Sequence, residues 1–466
     1  MKTLFNTKFN WSFFLLAAFI LRLSFVSMSW LSYFSLLISL HHFMLLFNAI
    51  GHVIPTRYLL GAFMCVQFFV GPSLMYNGLD QYQYINYRMK VPETVYFTYV
   101  IPAVISFIIG LHLRAGKLNG EIVDEKKIDD FVNANPKLPY IFIFLGFIAS
   151  LLSGYFGSDL TFVFYILGSF KFIGLFLIIL GSKKLKVLPL VLVIGSIISS
   201  SLGEGMFHDL LTWLIFTGCV FAIKFKFGFN VKLAGCLVFL FLALIIQVLK
   251  GRYRSIIGTG KEEAGIETFS RLYEKENDNK SMFDLEKLAP SAIRINQGFI
   301  ITNIMNTVPD KLPFANGAEM YQIFEAAVLP RILAPNKLSA GDRTIFMRYT
   351  GLRLSAGTSM GLSSLGDAYI NFGRFGGCIF MFFLGMMYTA ILNIFYKKSL
   401  TYPILILFTS LVFYYPIRPD CELQTILGHV FKSCFLMYVF IMFFKGVFRV
   451  DPASYVRAGR RVSSPI

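Results

Sequence analysis

Arginines with few acidic neighbours are the residues that point most directly to chemistry. They occur in short motifs in the second half of the chain, such as "LKGRYRS" and "PIRPDCE". A guanidinium offers a planar fork that holds phosphate oxygens bidentately and does not lose its charge. Beside a bilayer such a cluster suits a lipid-linked pyrophosphate, although each arginine could equally pair with headgroup phosphates or a nearby carboxylate. The candidates for phosphate binding are Arg252, Arg254, Arg294, Arg331, Arg343 and Arg418.

Carboxylates are scarcer in this region, and those near a predicted membrane surface are candidates for proton transfer. They are Asp342, Asp367 and Asp420, together with Glu204, which has His208 one turn further on. A carboxylate or a histidine can take the proton from an acceptor hydroxyl. Each aspartate also has a structural alternative, because two of them have arginine neighbours and Asp367 can cap a helix. The sequence offers Asp367, Asp342 and Asp420 as catalytic candidates.

A stretch of small and polar residues, "SSLGDAYINFGRFGG" at 363–377, precedes one of the apolar runs. Its glycines and serines let backbones pack closely at a helix entrance. Asp367, Tyr369 and Asn371 then lie at the boundary between membrane and water. There Tyr369 and Asn371 can contact a sugar, or the stretch is a tightly packed helix start with Asp367 near its positive end.

The composition of the chain indicates what class of protein positions these residues. Of the 466 residues 56% are hydrophobic and only 15% are charged, with a mean hydropathy of +0.64. Soluble domains average nearer ~25% charged residues, so the chain is a membrane protein. Its net charge of +17 does not indicate nucleic-acid binding, because many basic residues lie in short connections between apolar runs. Its cysteines offer neither a disulfide framework nor metal-ligand spacing.

The apolar runs predict an all-α polytopic protein. A helix needs about 20 apolar residues to cross a bilayer, and about twelve segments qualify. The first is interpreted as an uncleaved span, since no small-residue cleavage site follows it. The predicted spans are 11–28, 31–48, 58–77, 95–114, 139–155, 159–181, 186–202, 207–223, 231–249, 376–396, 401–417 and 426–444.

Lysines and arginines concentrate in alternate short loops, which predicts that both termini are cytoplasmic. The opposite face then carries a long, partly helical loop. The sequence divides into an N-terminal bundle of about nine spans at 1–249, a periplasmic loop at 250–375, and about three spans with a basic cytoplasmic tail at 376–466. No internal repeat is visible, which disfavours an inverted-repeat transporter.

The order of these motifs resembles the oligosaccharide repeat-unit polymerases, the O-antigen polymerase (Wzy-like) family. The resemblance rests on "LKGRYRS", "RINQGF", "LPRILAPNK", "GLSSLGDAYINFGRFGG" and "RPD", in that order. It covers roughly residues 245–425 by motif and the remainder only by hydropathy. It implies a bacterial inner-membrane protein with about a dozen spans and one large periplasmic loop.

Membership would imply a glycosyl transfer that needs no metal or other cofactor. A growing glycan on undecaprenyl pyrophosphate passes to an incoming lipid-linked repeat unit, and undecaprenyl pyrophosphate leaves. The six arginines would hold the pyrophosphates, one of the three aspartates would orient or deprotonate the acceptor, and Tyr369 and Asn371 would contact sugar. Partners would be the lipid-linked oligosaccharides, membrane lipids, and a chain-length regulator and flippase.

Two alternative activities stay open, whereas a purely structural membrane subunit, the third option, would not need so many arginines beside so few acids. A lipid-linked glycan ligase uses the same donor with another acceptor. Many relatives of that branch carry a histidine in a late outer loop, whereas His429 here falls inside a predicted span. A polysaccharide or lipid flippase would instead carry polar residues through several spans.

Overall fold

Helices make up most of the chain, because its long apolar runs can satisfy their backbone polar groups in a bilayer only within a helix. The computed structural model describes residues 9–79, 87–113, 121–156, 158–182, 184–260, 262–278, 293, 295–329, 333–334, 337–338, 341, 343–355, 360–443 and 446, without the side chains of 158–161 and 277–278. These residues form isolated bridges but no β-strand.

The first group of helices forms most of the bundle. Its members are α1 (Trp11–Ser24), α2 (Trp30–Ala49), α3 (Thr56–Cys65), α4 (Gly71–Tyr76), α5 (Glu93–His112), α6 (Glu125–Ala134), α7 (Leu138–Leu152), α8 (Ser158–Gly168), α9 (Phe170–Gly181), α10 (Val187–Glu204), α11 (His208–Phe225) and α12 (Phe229–Gly258). A π-helical turn, Val66–Val70, joins α3 to α4. The later helices are α13 (Ile266–Asp278), α14 (Gly298–Met305), α15 (Ala318–Val328), α16 (Arg343–Thr350), α17 (Ser363–Ser399), α18 (Leu405–Val412) and α19 (Leu423–Phe443).

Ten helical stretches in the described residues are long and apolar enough to cross a membrane. This confirms an all-α polytopic membrane protein, although about twelve spans were predicted. The ten are Trp30–Ala49, Thr56–Tyr76, Glu93–His112, Leu138–Tyr155, Phe162–Gly181, Val187–Glu204, His208–Phe225, Phe229–Gly258, Ser363–Ser399 and Leu423–Phe443.

The two remaining predicted spans, 11–28 and 401–417, contain shorter helices. α1 has 14 residues, and α18 has only eight, all of them buried. Pro416 ends α18, because its ring would clash with the carbonyl of Val412 and it has no N–H to donate. Hydropathy does not separate a helix enclosed by protein, such as α18, from a mostly exposed one, such as α1, so the sequence predicted the same kind of segment for both.

Two long helices extend beyond their predicted spans. α12 continues to Gly258 rather than ending near residue 249, so Arg252 and Arg254 lie on its last turns. α17 begins at Ser363 rather than at residue 376, and it is interrupted at Gly373. Gly373 has φ 64° and ψ −160°, a conformation open almost only to glycine. The small-residue stretch is thus a short helix joined through Gly373 to a spanning one.

α5 and α17 pack closely at a pair of glycines. A β-carbon on Gly110 would lie 2.3 Å from the Phe382 carbonyl oxygen, and one on Gly385 would lie 2.3 Å from the Phe107 carbonyl oxygen. In lipid there is no hydrophobic driving force for helices to associate. Close contacts at small residues therefore supply much of the energy that holds two helices together. This pair anchors the late helices to the early ones.

We call the side that the charge bias predicts to be periplasmic the outer face. On this side α14 enters the bundle, and all eight of its residues are buried. The Gln297 N–H donates to the Gln67 carbonyl in the π-helical turn at 3.1 Å, and a β-carbon on Gly298 would meet the Tyr96 hydroxyl at 2.4 Å. Part of the predicted loop therefore packs into protein, as irregular backbone near a membrane must.

Arg57 is buried at the opposite end of the bundle. Its guanidinium is fully enclosed and donates to Glu121 at 3.4 Å, to the Thr389 hydroxyl at 2.9 Å and to the Leu111 carbonyl. Burial raises the pKa of Glu121, and the charge of Arg57 opposes that rise. Arg57 thus ties α3 to α5 and α17.

Candidate functional site

Tyr369 and Asn371 lie inside the protein rather than on a sugar-accessible surface. The Asn371 side chain is 1% exposed; its Oδ1 accepts from the Met320 N–H at 3.0 Å and its amide donates to the Asp367 carbonyl at 2.8 Å. Tyr369 is 3% exposed, and its ring packs edge-on against Tyr99 with centroids 5.0 Å apart. Both side chains fix the first part of α17 against its neighbours.

Asp367 is also buried, and it faces a small cavity. The Leu423 N–H donates to its carboxylate at 3.3 Å, and Glu319 and Glu422 line the same cavity. The cavity volume is about 30 Å³, which suffices for water but not for a sugar. An acceptor sugar therefore does not reach Asp367 in this conformation.

Arg418 and Asp420 meet in the turn between α18 and α19. The Arg418 Nη2 lies 3.9 Å from the Asp420 Oδ2, and the Gln67 amide donates to the Asp420 Oδ1 at 3.4 Å. The guanidinium also lies over the Tyr415 ring, 5.5 Å from its centroid. Burial alone would lower the pKa of Arg418, but its neighbours, above all Cys421 and Asp420, raise it. A held, permanently charged guanidinium is what binds a phosphate.

His208 and Asp209 begin α11 next to this turn. The His208 Nε2 lies 2.6 Å from the Asp209 Oδ1, and the Tyr414 hydroxyl donates to that same oxygen. Both side chains are about one-third exposed. The carboxylate holds one ring nitrogen of His208 and leaves Nδ1 for solvent or a ligand, which is how a carboxylate orients a histidine for proton transfer.

Arg254 contacts the turn between α10 and α11, which leads into His208. Its Nε donates to the Gly205 carbonyl at 2.6 Å, and the side chain is otherwise exposed. Two arginines from distant parts of the sequence therefore flank the α10–α11 turn. We call this group the outer polar cluster; it consists of His208, Asp209, Arg254, Tyr414, Arg418 and Asp420.

The structure places the other candidates elsewhere. Arg252 pairs with Glu276 of α13, and Arg343 donates to the Leu354 carbonyl. These contacts do not bring either arginine to the outer polar cluster. Arg294, Arg331 and Asp342 lie outside the described residues.

Sequence reasoning named Arg254, Arg418 and Asp420 but missed Asp209 and Tyr414. The available signal was "HD" at the start of an apolar run, in a short loop on the outer face. Nothing local indicated Tyr414, because its partner Asp209 lies 205 residues away in the chain. Comparison with family models, curated proteins and solved structures gives no match.

Proposed function

We propose that this chain is a membrane glycosyltransferase that polymerises oligosaccharide repeat units carried on undecaprenyl pyrophosphate. The reaction takes place on the outer face of the protein, which is the periplasmic side of a bacterial inner membrane. Both termini are cytoplasmic. The observation that carries the proposal is the outer polar cluster, in which two arginines flank a carboxylate-oriented histidine. The order of sequence motifs that resembles the Wzy-like polymerases supports it independently.

The cluster supplies the parts that the transfer needs. Arg418, with Arg254 beside the same turn, binds the donor pyrophosphate and stabilises the charge that develops on it. The acceptor hydroxyl attacks the anomeric carbon of the donor glycan, and the carbon–oxygen bond to the pyrophosphate breaks. His208, held by Asp209, takes the hydroxyl proton, and undecaprenyl pyrophosphate leaves. Asp420 keeps Arg418 in place.

Deletion of the gene, with surface glycans examined on a gel, tests the proposal. Loss of a polymerase leaves single repeat units attached to the surface lipid. Loss of a ligase or a flippase leaves none, so the gel distinguishes a polymerase from both alternatives. Absence of the single-repeat product after deletion would refute the polymerase assignment.

Complementation with variants then tests the cluster. We expect Arg418→Lys and His208→Gln each to lower chain extension by about 100-fold, because lysine lacks the planar fork and glutamine cannot accept the proton. The matched control is Arg271→Ala, since Arg271 is an exposed arginine of α13 outside the cluster. Membrane levels of each variant are measured on a blot. Normal chain length in both cluster variants would remove the cluster from the reaction.

A further inference from the structure

A second pocket lies at the other end of the bundle, on the face predicted to be cytoplasmic. The turn after α2, the residues before α6, the end of α11 and the start of α12 enclose it. Its volume is about 380 Å³, within the range of ligand sites. Among the residues that line it are His52, Val123, Glu125, Lys226, Phe227 and Lys232. The outer polar cluster uses none of them.

The charges in this pocket favour an anion. Lys232 donates one of its three N–H bonds to the Ile50 carbonyl at 2.6 Å, and the other two remain for a ligand. Lys226 lies 3.6 Å from Glu125 and its side chain is 77% exposed. Two lysines therefore face one carboxylate. Burial lowers the pKa of His52, and the nearby charge of Lys232 lowers it further.

The backbone at Lys226 is also unusual. Lys226 ends α11 with φ 48° and ψ 48°, a left-handed conformation that is costly for residues other than glycine and asparagine. Strain of this kind persists where the side chain or the turn is needed. Here the turn carries the Lys226 ammonium to the rim of the pocket.

The neighbouring surface indicates what kind of anion enters. α12 begins at this pocket and exposes large apolar side chains along its length, including Phe229, Leu237 and Val238 at 63%, 58% and 68%. Acyl chains can lie along such a surface while a headgroup sits in the pocket. Basic pockets between spanning helices on the cytoplasmic side are known to suit anionic lipid headgroups.

We propose that this pocket binds the phosphate headgroup of an anionic phospholipid, with the acyl chains along α12. Lys232 and Lys226 contact the phosphate, and Phe227 and Val123 form the apolar floor. The inference does not depend on the proposed glycosyl transfer, because it concerns the opposite face of the protein.

Native mass spectrometry of the full chain in a neutral detergent tests this. The probes are dioctanoyl phosphatidylglycerol, dioctanoyl phosphatidylcholine and inorganic phosphate. We expect phosphatidylglycerol to bind more tightly than phosphatidylcholine, whose choline the lysines repel. Lys226→Gln and Lys232→Gln should each weaken phosphatidylglycerol binding by about fivefold. The control is Lys397→Gln with Lys398→Gln, an exposed basic pair on the same predicted face outside the pocket.

Lys226 is exposed, so Lys226→Gln keeps the test valid even if Lys232→Gln fails to fold. Equal binding of the two lipids would overturn the proposal, as would equal weakening by the control pair. Displacement of the lipid by inorganic phosphate at equal concentration would also overturn it, since the ligand would then be a free phosphate compound. Selective phosphatidylglycerol binding that only the pocket variants weaken would support it.

Discussion

At the scale of single residues, the same side-chain types play different parts according to where the fold places them. Asp367 and Asp209 are both acids near the outer face. Asp367 is enclosed beside a cavity too small for a sugar, whereas Asp209 is partly exposed and orients His208. The sequence singled out Asp367 because of its place in a polar stretch before an apolar run, and it did not single out Asp209. Exposure favours the His208–Asp209 pair.

Asn371 gives a prediction at this scale. Asn371→Ala removes the acceptor of the buried Met320 N–H, so we expect a loss of about 1–3 kcal/mol in the free energy of unfolding. The folded fraction should extend glycans normally. Thermal unfolding in detergent, alongside the chain-length gel, measures both quantities.

The exposed Asn306 provides the control, because Asn306→Ala opens no buried site. If Asn371→Ala left the free energy of unfolding unchanged but abolished chain extension, a structural role for Asn371 would be contradicted. That result would instead support the prediction that Asn371 contacts sugar.

At the scale of elements, α17 shows how a helix combines two tasks. Its first part, before Gly373, packs on α14 and α15 at the outer face, and its second part crosses the bundle against α5. The close approach at Gly110 and Gly385 fixes the second part, and the break at Gly373 lets the first part take its own direction. The sequence placed a helix entrance near residue 376 because the apolar run starts there.

Gly385→Ala tests the α5–α17 contact. The added methyl group would lie 2.3 Å from the Phe107 carbonyl oxygen, so one backbone must shift. We expect a loss of about 1–3 kcal/mol in the free energy of unfolding, as for other overpacked sites. Thermal unfolding of the purified protein measures it.

The matched control is Gly195→Ala on the exposed face of α10, where an added β-carbon meets nothing within 4 Å. Alanine there should be neutral or slightly stabilising, because it has the higher helix propensity. Equal stability of the two variants would mean that α5 and α17 do not approach as closely as described.

At the scale of the whole molecule, helix length and charge distribution give different numbers of membrane crossings. Ten helical stretches satisfy length and hydropathy, while the alternation of basic loops requires about twelve crossings for a consistent orientation. The difference lies in α1 and in the segment that contains α18. Each is short as a helix, but the turns attached to it lengthen its path.

Reporter fusions decide this. With both termini cytoplasmic, alkaline phosphatase fused after Gly228 should be inactive and after Gly265 active. A fusion after Lys398 should be inactive and one after Pro419 active, because the α18 segment then crosses despite its short helix. β-Galactosidase fused at the same positions provides the reciprocal control. Equal activity after Lys398 and Pro419 would show that this segment returns to the side on which it started.

The sequence by itself determined the class of this protein and most of its helices. Apolar length is a local property, and a bilayer accepts such a segment in essentially one backbone form. The sequence also placed Arg254, Arg418 and Asp420 among the candidate site residues. A charged residue next to an apolar run can be recognised without knowing its contacts in the folded protein.

Only the tertiary structure decided which of these residues meet. Tyr414 reaches Asp209 across 205 positions, and Met320 reaches Asn371 across 51. Burial of Asp367, enclosure of Arg57 and exposure of His208 depend on helices that are distant in the chain. Such contacts arise from packing of whole elements, which no local pattern of residue types encodes.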